Sequence, residues 1–252
     1  MTAHQLEPTR EFGLAWHIGP LASYDCETNG LNTATDRIVT AALLRAKGAP
    51  LEWMSDLDGA EIPTDASGIH GVTTEHAREH GRPAAQVVEE IADAIAAELS
   101  DRQASLVVMN APFDLPLLDA ECARYGVATV MDRIGRVEPV IDPLVLDRRL
   151  DRYRKGKRNL ETLARHYGVP LDAAHTAIAD AEAALGVARA IGDRYAQVQV
   201  PAHRIHLHQI HWHREWAANF QAHLRRKGEQ DAVIDGSWPL RPVPAVVGGE
   251  AA

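Results

Sequence analysis

Asp25 and Glu27 stand two residues apart in the run Leu21-Ala22-Ser23-Tyr24-Asp25-Cys26-Glu27-Thr28-Asn29-Gly30-Leu31. In an extended strand, residues two apart share a face, so the two carboxylates project together while Cys26 points the other way. Side-by-side carboxylates repel, and each is costly to bury unpaired. A hard dication resolves that conflict, because Mg²⁺ prefers carboxylate oxygens. A pair of exposed acids at a strand end fits the same residues, so acids elsewhere in the chain must discriminate.

Two more groups of that kind follow. Asp114 heads a helical stripe that continues through Leu118, Cys122 and Tyr125, with Leu117 beside it. A carboxylate at the head of an apolar stripe is out of place for a structural residue, although an acid in a first turn also suits the helix dipole. His175 and Asp180 lie five apart, about 140° around a continuous helix. They converge only if His175 sits on the loop just before the helix and Asp180 within its second turn. A lone loop histidine is usually just polar surface.

These groups need elements to carry them. Ile38–Leu44 reads as a strand, paired as a hairpin with Leu51–Met54 across Lys47-Gly48-Ala49-Pro50. Polar and charged segments follow, with Ile69-His70-Gly71-Val72-Thr73 between them. Pro83 suits a first helical position, and Val87, Val88, Ile91, Ile95 and Leu99 recur at helical spacing beyond it. Ser105–Met109 does not alternate, which fits a strand buried on both faces. A helix to about Tyr125, a short strand at Val140-Ile141 and a helix from Leu144 to Leu150 come next. Asn159 caps a helix ended by Gly168 and Pro170. The last body helix carries Ile178, Ala181, Leu185 and Ala188 on its apolar face.

Bulk composition bounds the function. The chain has 252 residues, a net charge of −9 and 46% apolar residues, enough for one substantial core. The acidic balance argues against a protein that coats duplex DNA electrostatically. Against that background, seven of the eleven residues from Arg148 to Arg158 are basic, which points to a phosphate-contacting loop as readily as to a solvated one. Cys26 and Cys122 have no metal or redox spacing. The N-terminus lacks a signal-peptide pattern and no apolar run reaches a membrane span. A cytoplasmic location without membrane contact is the expectation. From Pro201 the composition shifts: Ile205, Trp212, Trp216, Phe220 and Leu224 predict a C-terminal helix packed by that face, with five histidines on a solvated side. Pro239–Ala252 reads as a disordered tail.

Taken together, Asp25-x-Glu27-Thr28-x-Gly30-Leu31, Asn110-x₃-Phe113-Asp114 and His175-x₄-Asp180-Ala181 resemble the three motifs of the DEDDh family of 3′–5′ exonucleases. Ile69-His70-Gly71-Val72-Thr73 looks like a further family segment. The wording is similar to the proofreading (epsilon) branch of bacterial DNA polymerase III, with extensions like those of actinobacterial members. Asn29 and Met109 depart from the common pattern. The resemblance covers about residues 20–192 and implies an α/β, ribonuclease-H-like fold: a five-stranded mixed sheet flanked by helices. Around it the expected divisions are an N-terminal extension over 1–19, the added C-terminal helix within 193–238 and the tail from 239.

The resemblance also implies roles. Asp25, Glu27, Asp114 and Asp180 would hold two divalent ions, Mg²⁺ or Mn²⁺, and His175 would take a proton from the attacking water. Thr28, Leu31, His70, Asn110 and Phe113 would contact the terminal nucleotide. The expected activity is metal-dependent 3′–5′ hydrolysis of single-stranded or frayed DNA ends, releasing nucleoside 5′-monophosphates. An exoribonuclease acting on RNA or short oligoribonucleotides keeps the chemistry and changes the sugar. A catalytically silent nucleic-acid-binding module would require a broken metal position, and none is seen. Association with a replicative polymerase does not follow from the sequence.

Overall fold

The structure, a computed structural model, describes residues 14–101, 104–171 and 175–241. Three strands open the fold: β1 (Leu21–Thr28), β2 (Ile38–Leu44) and β3 (Leu51–Met54). Where the sequence suggested only polar and charged segments, two short helices form, α1 (Thr64–His70) and α2 (Thr74–His80). Neither carries an apolar stripe long enough to register as periodicity. Gly71, at φ 78°, ends the first. The Thr73 hydroxyl caps the second by accepting from the His76 N–H at 3.2 Å.

Helix α3 (Ala84–Ser100) buries Val87, Val88, Ile91, Ile95 and Leu99 as their spacing predicts, with Pro83 as its cap instead of its first residue. Strand β4 (Ser105–Val107) stops before Met109. Then come α4 (Ala111–Tyr125), α5 (Val130–Ile134), β5 (Val140–Ile141), α6 (Pro143–Leu150), α7 (Leu160–Tyr167), α8 (Ala177–Arg194) and α9 (Ala202–Arg226). Among the described residues, no helix is long and apolar enough to cross a membrane.

The strands form the expected five-stranded mixed sheet, in the order β3-β2-β1-β4-β5. Neighbours β1, β2 and β3 are antiparallel, while β4 and β5 run parallel to β1. The sheet is buried on both faces, and β1 shows this with period two. Ala22, Tyr24 and Cys26 pack into the core beneath α3 and α4, whereas Leu21 packs on the opposite side with α7 and α8. On α8 the buried stripe is Ala177, Ala181, Ala184 and Ala188. Ile178 and Leu185 of the expected face lie only half-buried at its edge. Small residues let α8 approach the sheet closely.

At the other side of the sheet β5 is an edge strand, whose backbone groups would otherwise lie unpaired. Helix α9 covers it with polar side chains. The Val140 N–H donates to His206 Nδ1 at 3.1 Å and the Asp142 N–H to Gln209 Oε1 at 2.7 Å. Gln209 Nε2 donates back to the Val140 carbonyl at 3.0 Å. This corrects the expected packing face of the C-terminal helix in part: Ile205 is buried and Trp212 packs on the core as expected, but the other buried residues are His206, Gln209, His213 and Ala217. His206 and His213 are therefore not on a solvated side: His206 meets a strand edge that needs hydrogen-bonding partners an apolar stripe cannot supply, and His213 is buried further along the helix.

Both ends of the described residues join this body. Trp16 is buried and donates from its indole to the Val198 carbonyl at 2.8 Å. Trp238 is buried beside His206 and donates to Asp142 at 3.2 Å. Packed chain continues through Pro239 and Leu240, past the expected start of the loose tail. The rest of that tail, and most of residues 1–19, lies outside the described residues.

Candidate active site

The acids meet where β1 outruns its neighbour. Strand β4 pairs with β1 only as far as Ser23, so the β1 edge beyond it is open. Helix α4 begins there, and Asp114 takes the free donors: its Oδ1 accepts from the Cys26 N–H and from the Cys26 thiol, each at 3.3 Å. Asp114 is thus buried near the head of α4, and it is not the helix cap. Asn110 fills the cap position at φ 64° without using its side chain. Asparagine is among the few residues that adopt this left-handed conformation readily.

The group that fixes this helix start is Asp142, which the sequence reading did not single out. Its buried carboxylate accepts from the backbone N–H of Asn110 at 3.0 Å, Ala111 at 3.1 Å and Leu144 at 2.9 Å. One side chain therefore ties the first amides of α4 to those of α6. An aspartate closing a strand and followed by proline is an N-cap signature, and Asp142-Pro143 carried that signal.

Asp25 and Glu27 project from the opposite face of β1, toward the start of α8. Asp180 lies in the first turn of α8, and His175 precedes the helix at φ 70°. The His175 backbone N–H donates to Asp180 Oδ1 at 3.3 Å. Ligand atoms of Glu27, His175 and Asp180 all lie within 4.8 Å of one another, so the left-handed turn achieves the convergence that a continuous helix would prevent.

The electrostatics are those of crowded, buried acids. Among the described residues, none of Asp25, Glu27, Asp114 or Asp180 forms an ion pair with lysine or arginine. Burial first, then the charges of Asp114, Asp180 and Glu27, hold the Asp25 carboxyl well above the usual range. Burial pushes Asp114 up to about 7, with the Cys26 donors pulling the other way. Glu27 and Asp180 are raised by burial too, and His175 partly offsets this in both. Carboxylates kept at this cost in one place fit divalent cations, which are hard and oxygen-seeking.

The residues expected to contact a terminal nucleotide are placed less uniformly. His70, the last residue of α1, is buried; its Nδ1 accepts from the Val72 N–H at 3.2 Å. Its Nε2 has no hydrogen-bond partner among the described residues, and the ring lies near both the Thr28 backbone and His175. The Thr28 hydroxyl donates to the Gly30 carbonyl at 2.6 Å. A Cβ at Gly30 would come within 2.2 Å of Asp36 Oδ2, so the Asp36 side chain would have to shift. Phe113 is half-buried against the core below α4, and Asn110 is exposed at the helix head. Leu31 stands 88% exposed on the loop beyond β1.

The basic segment is only partly free for phosphates. Arg154 and Arg158 turn inward to the buried Asp147, which also accepts from the Tyr167 hydroxyl at 3.0 Å. Arg149, Arg152, Lys155 and Lys157 are exposed. A buried acid seven and eleven residues from its arginines leaves no local pattern, so the sequence reading missed Asp147.

Comparisons with known proteins agree with this architecture. A sequence model described as "Exonuclease" matches residues 23–188. A DNA polymerase III of PolC type from Streptococcus thermophilus is 32% identical over 164 residues, which is 64% of this chain and 10% of the relative. The PolC-type polymerase of Lacticaseibacillus paracasei is 30% identical over 72% of this chain and 12% of its own length. The chain thus spans about a tenth of the curated relatives it matches. Among solved structures, E. coli exonuclease I in complex with a dT13 oligonucleotide superposes with a TM-score of 0.60 at 20% identity, covering 71% of this chain and 42% of that one. The zinc-bound complex of the same enzyme with single-stranded DNA gives 0.61 at 21% identity, over 77% and 43%. At that identity the likeness speaks for the fold, which is ribonuclease-H-like. With a family match running from the start of β1 through most of α8, this chain belongs to the exonuclease family.

Proposed function

We propose that the protein is a 3′–5′ exonuclease that hydrolyses the terminal phosphodiester of single-stranded or frayed DNA and releases nucleoside 5′-monophosphates. One observation carries this: ligand atoms of Glu27, His175 and Asp180 lie within 4.8 Å of one another at the left-handed start of α8, and Asp25 is close enough to Glu27, Asp114 and Asp180 to feel their charges.

Asp25, Glu27, Asp114 and Asp180 are the residues that would hold divalent cations, Mg²⁺ or Mn²⁺. Two such ions supply a water activated for in-line attack and charge neutralisation at the phosphate and leaving oxygen. The chain's own groups do the remainder. Asp114 is oriented by the Cys26 N–H and thiol, and Asp180 by the His175 N–H. His175 accepts the proton that the attacking water loses, on a ring nitrogen, as the new P–O bond forms and the bond to the 3′ oxygen breaks. Thr28, Leu31, His70, Asn110 and Phe113 form the contacts to the terminal nucleotide, where apolar and aromatic surfaces accept any base.

DNA is favoured because the curated relatives are DNA polymerases and the solved neighbours hold DNA oligonucleotides. The test is release of mononucleotides from matched 5′-labelled DNA and RNA 15-mers with Mg²⁺ or Mn²⁺. Stepwise shortening of DNA from the 3′ end is expected; faster loss of RNA overturns the sugar preference, and no shortening of either overturns the activity.

A further inference from the structure

The strands β1, β4 and β5 are parallel, so their C-terminal ends, and the acids leaving β1, lie at one end of the sheet. Helix α9 meets β5 first through His206 at Val140 and then through Gln209 at Asp142. It therefore runs in the same direction and continues past that end. At about 1.5 Å per residue, Trp216 stands roughly 10 Å beyond Gln209 along the helix. β5 is two strand spacings from β1, again roughly 10 Å.

In this overhang α9 and the α6 side enclose an open groove of about 890 Å³. Its walls are aromatic and cationic. The Arg148 guanidinium lies 3.6 Å from the centre of the Trp216 ring, and that of Arg149 lies 5.5 Å from the centre of Trp212. Trp216 stacks on Phe220 at 5.4 Å and 15°, and Phe220 on His223 at 6.5 Å and 14°. Arg152 also lines the groove, is exposed, and forms no ion pair among the described residues. Glu215 is the carboxylate in the lining, and it is paired with Arg149 at 3.2 Å. The chain as a whole carries −9, so this patch is a local reversal of sign.

Flat rings in a row beside unneutralised guanidinium groups suit single-stranded nucleic acid, whose bases stack without sequence preference while its phosphates meet the cations. We propose that this groove is a second binding subsite, which holds the strand on the 5′ side of the nucleotide being removed. The subsite rests on the nuclease reading for its role, and on α9, which lies beyond the family match, for its walls.

The full-length chain is titrated into 5′-fluorescein-(dT)20 in EDTA, so that binding is read without cleavage, at about 50 and 200 mM salt. Trp216→Ala and Arg152→Glu are each expected to raise the Kd about fivefold or more. Arg152→Glu, at an exposed and unpaired site, guards against a folding defect in the tryptophan variant. Wild-type tryptophan emission falls on binding. Folded variants that bind (dT)20 like wild type overturn the subsite. So does poly-L-glutamate that displaces the oligonucleotide at equal charge, which assigns the groove to an acidic protein. The nuclease reading fails separately, through absent nucleotide release from the same oligonucleotide with Mn²⁺ despite intact binding.

Discussion

The Asp114 carboxylate accepts both the backbone N–H and the thiol of Cys26, each at 3.3 Å. Two donors from the residue between Asp25 and Glu27 thus anchor an acid from a different element into the same cluster. Those donors soften, without removing, the penalty of burying it: Asp114 is still pushed up to about 7.

That penalty makes the metal-free protein sensitive to pH. Asp25 and Asp114 have folded-state pKa values above their unfolded ones. The folded chain therefore binds more protons between about pH 4 and 7, and its stability falls as pH rises through that window. Asp25→Asn removes a buried charge, so in EDTA at pH 8 it should raise Tm by about 2–6 °C, with a smaller gain at pH 5. Differential scanning fluorimetry at the two pH values checks this; an equal loss at both contradicts it.

Divalent cations should reverse the slope. Binding displaces protons from the raised carboxylates, so Mn²⁺ should stabilise the protein more at pH 8 than at pH 6. Asp114→Asn should shrink that difference. Thermal shifts with and without metal at both pH values measure it, and a pH-independent shift counts against the cluster as the binding site.

Asp142 should matter for folding more than for chemistry. It receives N–H groups from both α4 and α6 as well as the Trp238 indole. Asp142→Ala leaves buried donors unmet, and about 3 kcal/mol or more should be lost. Urea denaturation reads the change as a lower midpoint, and an unchanged midpoint refutes the capping role.

Gln209→Leu tests the covered sheet edge. It strands the Val140 carbonyl and the Asp142 N–H, at about 1–3 kcal/mol for each buried group left unpaired. Hydrogen exchange at Asp142 should accelerate, while exchange within β1 changes little. Uniform acceleration would mean that α9 stabilises the body only by apolar packing.

Much of this was legible in the chain because periodic burial writes itself into letters. The strand carrying Asp25 and Glu27, the hairpin, and the stripe from Val87 to Leu99 all follow from spacing. What stayed hidden depends on contacts distant in sequence. Asp142-Pro143 announces a cap for α6 but not the donors from α4, and Asp147 looks like an ordinary surface acid until Arg154, Arg158 and Tyr167 reach it. The face of α9 misled because three of its buried residues, His206, Gln209 and His213, are polar, two of them matched to a strand edge that no local pattern announces. Helices α1 and α2 are too short for a stripe, and their ends are written instead in Gly71 and Thr73.

In the proposed reaction, Asp25 and its three companion acids perform metal-dependent removal of nucleotides from a 3′ end. The most direct measurement is a time course on 5′-labelled single-stranded DNA with Mn²⁺, comparing wild type with Asp25→Asn and His175→Ala. The wild type should shorten the strand one nucleotide at a time, Asp25→Asn should lose about a thousandfold or more in rate, and His175→Ala should lose most of its activity at every pH tested. An Asp25→Asn protein that degrades the strand at the wild-type rate would contradict the assignment.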